Sequence, residues 1–165
     1  MKLQSQIAAR KTHDVVVIGG GSAGYAAARI ARDAGADVAI VDQGPLGGLC
    51  ILRGCMPTKA ILRSAEVAAL LRRTREFGLS SVSSSADLSA IVDRKDRLIR
   101  EFANYRIQQL RDPAFALYES PGRFCSPREI DIAGARLSAH TFIIATGSSP
   151  SEVAIPGLSD VDFFT

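Results

Sequence analysis

A chain of 165 residues, 47% hydrophobic and 22% charged, can bury one sizeable core, and this excludes a disordered polymer. No apolar run reaches the roughly 18 residues of a membrane helix, and the opening MKLQSQIAARKTH lacks the apolar stretch of a secretory signal. The formal net charge is +3, with Arg72, Arg73 and Arg75 in one cluster and Arg94, Lys95, Arg97 and Arg100 interleaved with Asp93, Asp96 and Glu101 in another, so neither nucleic acid nor a membrane is an expected partner.

Residues 1–13 read as a tail. Asp14 to Ile18 is a short β-branched run stopped by Gly19, the pattern of a strand buried on both faces. Ala23 to Ala34 is alanine-rich with Gly35 just beyond it, which predicts a helix with a glycine C-cap. Asp37 to Val41 is a second buried strand, closed by Asp42. Strand, helix and strand within about 30 residues form a βαβ unit. A glycine-rich loop spans 43–48. A helix is then expected from about Cys50 to Arg75, with Pro57 near its start. The serine-rich 77–85 is a surface connection.

Ser84 followed by Asp87 resembles a capping box for the next helix, which Pro113 stops. Leu88, Ile91, Leu98, Phe102 and Tyr105 mark one apolar face of that helix. From Ala114 the texture changes. Phe115–Glu119, Phe124, Glu129–Ile132 and Arg136–Ala145 are strand candidates separated by Pro121-Gly122, Ser126-Pro127 and Ala133-Gly134. Together they predict a small antiparallel β-meander that ends in a long buried strand.

Two constellations carry chemistry. Gly19-Gly20-Gly21-Ser22-Ala23-Gly24 matches G-x-G-x-x-G in its required setting, between a strand and a helix, with Asp42 closing the second strand. Gly19 permits the tight turn. Gly21 lets backbone approach a pyrophosphate, and Gly24 lets the helix pack on the strand. Ser22 and Ala23 open the helix whose N–H groups face phosphate. Asp42 is placed to accept ribose hydroxyls. A glycine-rich connection without a nucleotide is the plain alternative, and the loop itself does not choose between FAD and NAD.

The second constellation is Cys50 and Cys55 in Gly-Gly-Leu-Cys-Ile-Leu-Arg-Gly-Cys-Met-Pro-Thr-Lys, residues 47–59. Residues five apart on an ideal helix lie about 8.6 Å apart at Cα, beyond the roughly 7 Å limit of a disulfide. Bridging them needs a distorted first turn, and Gly54 is where the backbone can yield. A helix N-terminus favours thiolate. So short a loop makes a poor staple, which suits a redox-active bond better. Inert packing and half a zinc site are the competing readings. His13 and His140 lack ligand-like spacing, so no metal is expected. Cys125 is expected to be a buried spectator.

Taken together, the glycine turn with Asp42, GGLCILRGCMPTK, and Ile143-Ile144-Ala145-Thr146-Gly147-Ser148 with Pro150 resemble the pyridine nucleotide-disulfide oxidoreductases over nearly all of 14–165. The later Ile155-Pro156-Gly157 is similar too. The resemblance implies an α/β, Rossmann-like FAD-binding domain with a parallel sheet, flanking helices and a β-meander. It implies FAD on Gly19, Gly21, Ser22, Ala23, Gly24, Asp42 and Gly48, with Ala145, Thr146 and Gly147 along the cofactor. Cys55 would face the flavin, Cys50 would exchange with substrate, and Lys59 would approach the flavin.

In the full-length enzyme electrons would pass between NAD(P)H, FAD, the cysteine pair and a disulfide, dithiol or metal-ion substrate. A homodimer in the cytoplasm is implied. Asp42 stands where Glu is more usual. Leu49, Leu52 and Arg53 stand where Thr, Asn and Val are common, and Thr58 replaces Ser. The family's second nucleotide-binding domain, the return of the FAD domain and a catalytic His-Pro pair do not occur here. The 165 residues are therefore expected to be an N-terminal portion without turnover of their own. A redox-inert nucleotide-binding module is the rival reading, and an NAD dehydrogenase with incidental cysteines is a third.

Overall fold

The computed structural model describes residues 12–151 and 153–162. The expected tail 1–13 therefore lies mostly outside the described residues. Thr12 and His13, however, belong to the first strand, β1 (Thr12–Ile18), and His13 is fully buried. Its Nδ1 lies 3.0 Å from the Asp37 carboxylate and its Nε2 lies 3.4 Å from the Tyr118 hydroxyl, so polar partners rather than solvent hold this residue.

Helix α1 (Ser22–Asp33) follows β1, and β2 (Val38–Asp42) follows α1. Gly35, with φ of +90°, ends α1 as expected. Its N–H donates to the Arg32 carbonyl while the Ala36 N–H donates to the Ala31 carbonyl, a paired C-cap that satisfies the last turn. The single helix expected from Cys50 to Arg75 is broken. A short helix, α2 (Gly48–Leu52), turns at Arg53 and Gly54 into α3 (Cys55–Arg72), and a 3-10 turn covers Thr74–Phe77.

Helix α4 (Leu88–Leu110) is capped by Asp87, whose carboxylate accepts from the Ala90 N–H at 3.1 Å. The expected box placed Asp87 in the first turn; Asp87 is itself the cap, so the helix starts later. The apolar stripe of α4 does not face a core. Leu88 is 71% exposed, Tyr105 62% and Phe102 45%, while Ala103 and Leu110 are the buried residues of the helix.

The remaining strands are β3 (Ala116–Glu119), β4 (Gly122–Ser126), β5 (Glu129–Ile132) and β6 (Ala135–Ile144). They join one sheet in the order β3-β2-β1-β6-β5-β4. Strands β4, β5 and β6 form the antiparallel meander, and β6 lies parallel to β1. The expected first strand of the meander is a correction: β3 pairs parallel with β2 at the opposite edge, Ala39 beside Ala116 through Asp42 beside Glu119.

Central strands are buried on both sides, as their continuous apolar runs require. Val17, Val38 and Ile40 pack with Ala28 of α1 and Leu110 of α4. Val16, Ala39 and Val41 pack with Tyr118, Ile130, Ile132 and Leu137. A Cβ on Gly122 would lie 3.2 Å from Val41 and 3.5 Å from Ile130, so the antiparallel edge curls back over this second face. The C-terminal part of α4 is tied to α1 by the Arg106 guanidinium over the Tyr25 ring at 4.3 Å. Among the described residues no helix is long and apolar enough to cross a membrane.

Candidate functional site

The carboxyl ends of β1, β2 and β6 meet at the glycine turn. The Gly19 N–H donates to the Val41 carbonyl at 2.8 Å, and the Ala145 N–H donates to the Ile18 carbonyl at 2.8 Å. Gly19 has φ of +102°, and any Cβ there would overlap the Ala145 carbonyl oxygen. A Cβ on Gly24 would overlap the Gly19 carbonyl oxygen, so α1 can approach the turn only without one. Beside Gly21 the space is open, with nothing nearer than the Gly48 Cα at 3.6 Å. No side chain caps α1, and its first turn holds no acidic residue. Its leading N–H groups therefore keep their hydrogen-bonding capacity and partial positive charge.

Asp42 is held by the same turn. Its Oδ2 accepts from the Gly20 N–H at 2.6 Å and its Oδ1 from the Gly44 N–H at 2.7 Å. Each oxygen keeps a further lone pair for a ligand hydroxyl. These elements border a cleft of about 310 Å³. Of the residues expected to hold a cofactor, Gly19, Gly21, Asp42, Gly48, Ala145, Thr146 and Gly147 line it. Ser22, Ala23 and Gly24 lie behind it in the first turn of α1. Sequence reasoning missed Gln43, Gly44, Pro45, Leu49, Leu52, Arg53 and Ser120–Gly122 as lining residues. The signal for the last three was the parallel placement of β3, which carries them to the same end of the sheet as Asp42.

The two cysteines sit on either side of the helix break. Cys50 is on α2 and Cys55 is the first residue of α3. A Cβ on Gly54 would lie 3.2 Å from the Leu49 carbonyl oxygen and 3.5 Å from the Cys50 Cα, so the chain folds tightly back at the glycine. That kink sets Cys55 back beside Cys50. The Cys50 thiol is raised above its ordinary value first by the Cys55 side chain through hydrogen bonding, then by burial and by the Cys55 charge, with the Cys55 backbone and then Lys59 opposing. Both are free thiols. Cys55 and Lys59 are exposed and Cys50 is half-buried. None of the three lines the cleft, although Leu49, Leu52 and Arg53 of the same turns do. Cys125 is exposed on β4, contrary to the expected burial.

A raised Cys50 keeps its proton to higher pH than an ordinary thiol, and only the thiolate alkylates. In the reduced chain without added flavin, alkylation of Cys50 by limiting iodoacetamide is therefore expected to be slow near neutral pH and to climb at more alkaline pH than for free cysteine. Peptide mass mapping across a pH series checks this, and a Cys50 profile that matches free cysteine contradicts it.

The family model described as pyridine nucleotide-disulphide oxidoreductase matches residues 13–165. A mercuric reductase of Lysinibacillus sphaericus is 35% identical over 93% of this chain and 28% of its own length. A dihydrolipoyl dehydrogenase of Acholeplasma laidlawii is 36% identical over 91% of this chain and 45% of its own length. A glutathione reductase of Burkholderia cepacia is 31% identical over 87% of this chain and 32% of its own length. The chain thus spans less than half the length of these relatives.

Among solved structures, the copper(II) complex of the HOCl-induced flavoprotein disulfide reductase RclA from Escherichia coli superposes with a TM-score of 0.71 at 24% identity. It covers 89% of this chain and 31% of that one, and it supports the Rossmann-like fold. Proteins of the matched family use FAD together with NAD(P)H. The chain belongs to the pyridine nucleotide-disulphide oxidoreductase family.

Proposed function

We propose that this chain is the FAD-holding, dithiol-bearing part of a flavoprotein that moves electrons between NAD(P)H and a disulfide or metal-ion substrate. The observation that carries the reading is that the glycine turn and Asp42 border one cleft together with Leu49, Leu52 and Arg53 of the turns that carry the two thiols. The contact between Gly21 and Gly48 joins them: a Cβ on Gly48 would collide with the Gly21 backbone, so the loop leading to the thiols rests directly on the turn. Its setting is a cytoplasmic homodimer in the complete protein.

The cradle fits a dinucleotide. The open face of Gly21 and the uncapped N–H groups of α1 suit a diphosphate, and the free lone pairs of Asp42 suit a ribose diol. Ala145, Thr146 and Gly147 continue the wall at the end of β6. When bound, FAD supplies a two-electron relay between nicotinamide and the thiols.

The residues of the chain then divide the work. Cys50 gives up its proton and attacks a substrate disulfide, so one substrate thiol leaves and a mixed disulfide forms. The Cys55 sulfur, at the start of α3, then attacks the Cys50 sulfur. The second substrate thiol leaves, and a Cys50–Cys55 disulfide closes. The substrate gains two electrons and the pair loses two. With a metal-ion substrate the two thiols are the ligands. Lys59, one turn along α3, offers positive charge toward this pair.

Asp42→Asn tests the cofactor assignment. Asn has one acceptor oxygen, so either a Gly20 or Gly44 N–H loses its partner and the diol loses a charged acceptor. FAD is expected to bind the variant about tenfold more weakly, read from quenching of flavin fluorescence on titration. Unaltered FAD affinity in the variant, or no FAD binding by the parent chain, sinks the reading.

A further inference from the structure

Resting on the dinucleotide reading of the cleft, we infer that Arg53 is a positioning residue for the diphosphate of the bound dinucleotide. Asp42 and Arg53 are the two charged residues among those lining the cleft. Asp42 is already tied to the turn that suits a ribose diol. Arg53 leaves α2 with φ of −139° while its N–H still donates to the Leu49 carbonyl at 2.9 Å, so the helix break between the cysteines also places Arg53 in the cleft wall.

The neighbouring possibilities are weaker. Many arginines of this chain are engaged: Arg73 with Glu76, Arg97 with Glu101, Arg111 with Glu119, and Arg94 with the Ala60 carbonyl. Arg53 has no such ion pair or side-chain hydrogen bond among the described residues. A role on the thiols is not favoured either, because the cation that Cys50 feels is Lys59. What is left is a cationic residue, whose guanidinium is a planar fork, in the wall of a cleft whose other phosphate donors are neutral backbone N–H groups. Such a fork suits two phosphates better than any point charge.

The test is calorimetric titration of the parent chain, Arg53→Gln and Arg53→Lys with FAD and, separately, with ADP, at low and high salt. Arg53→Gln should weaken both ligands by roughly ten- to a hundredfold at low salt, since a charge-assisted hydrogen bond is lost. The gap should narrow at high salt, and Arg53→Lys should recover part of the loss. Because Arg53 is exposed, Arg53→Gln should melt with the parent chain when no nucleotide is added. Equal affinities in parent and Arg53→Gln overturn the inference while leaving the cofactor reading intact. Weaker FAD with unchanged ADP also overturns it, by moving Arg53 to the flavin half. No binding of either ligand by the parent chain removes the cofactor reading itself, and this inference with it.

Discussion

Gly24→Ala is expected to destabilise the chain by about 3 kcal/mol and to abolish detectable FAD binding. The new methyl would overlap the Gly19 carbonyl oxygen, lie 2.9 Å from the Gly19 carbonyl carbon and sit 3.3 Å from the Val17 side chain of β1. None of these can step aside cheaply. Gly19 is pinned through its N–H to Val41, and Val17 is fully buried in the sheet. Helix α1 must lift instead, taking Ala28 off the core and the leading N–H groups away from the cleft. Urea denaturation followed by circular dichroism gives the stability change. Gly35→Ala is the control: it has φ of +90° but nothing within 4 Å of the added Cβ, so only backbone strain of about 1 kcal/mol applies. If Gly24→Ala costs no more than that control, the close-packing account of the turn is wrong.

The second large effect concerns the sulfurs. Mild oxidation of the reduced chain with diamide should link Cys50 to Cys55 rapidly, removing two thiols and two mass units. Cys50→Ser and Cys55→Ser should each abolish the intramolecular link. The kink at Gly54 brings the backbone before Cys55 against the Cys50 Cα, so bond formation needs little backbone movement. Cys125 is exposed on β4, outside the kinked turns that hold the pair, and Cys125→Ser should leave the reaction unchanged. Links to Cys125, or oxidation of Cys50 and Cys55 only between molecules, would contradict the pairing.

How far the residues foretell this arrangement depends on how local each cue is. Val15–Ile18, α1 and Val38–Asp42 form a βαβ unit whose apolar runs and closing glycine are contiguous, and they were legible. Gly54 was legible as the yielding point, because helix geometry alone keeps Cys50 and Cys55 too far apart. The position of β3 was not. Its pairing with β2 joins residues many positions apart, and no turn signal separates a parallel edge strand from the start of a meander. The apolar stripe of α4 is real as a pattern, but periodicity does not say what covers a face, and Leu88, Phe102 and Tyr105 remain exposed. Arg53 stood out only as a departure from the common Val, and its place in the cleft was not legible for a related reason. Its direction is set by where α2 breaks, and that break is a property of the folded loop.

One feature of the sheet bears on how the molecule assembles. Strand β6 lies directly beside β1, and Ile18 and Ile144 are register partners although over a hundred positions separate them. As the polypeptide leaves the ribosome, β1, α1 and β2 emerge together, but the middle of the sheet has an open seam until β6 arrives. Closing so long a loop is slow, and the interval leaves Val16 and Val17 without their neighbour. Chaperone capture should accordingly be strongest for nascent chains that end between β2 and β6, and should fall once residue 144 has cleared the exit tunnel.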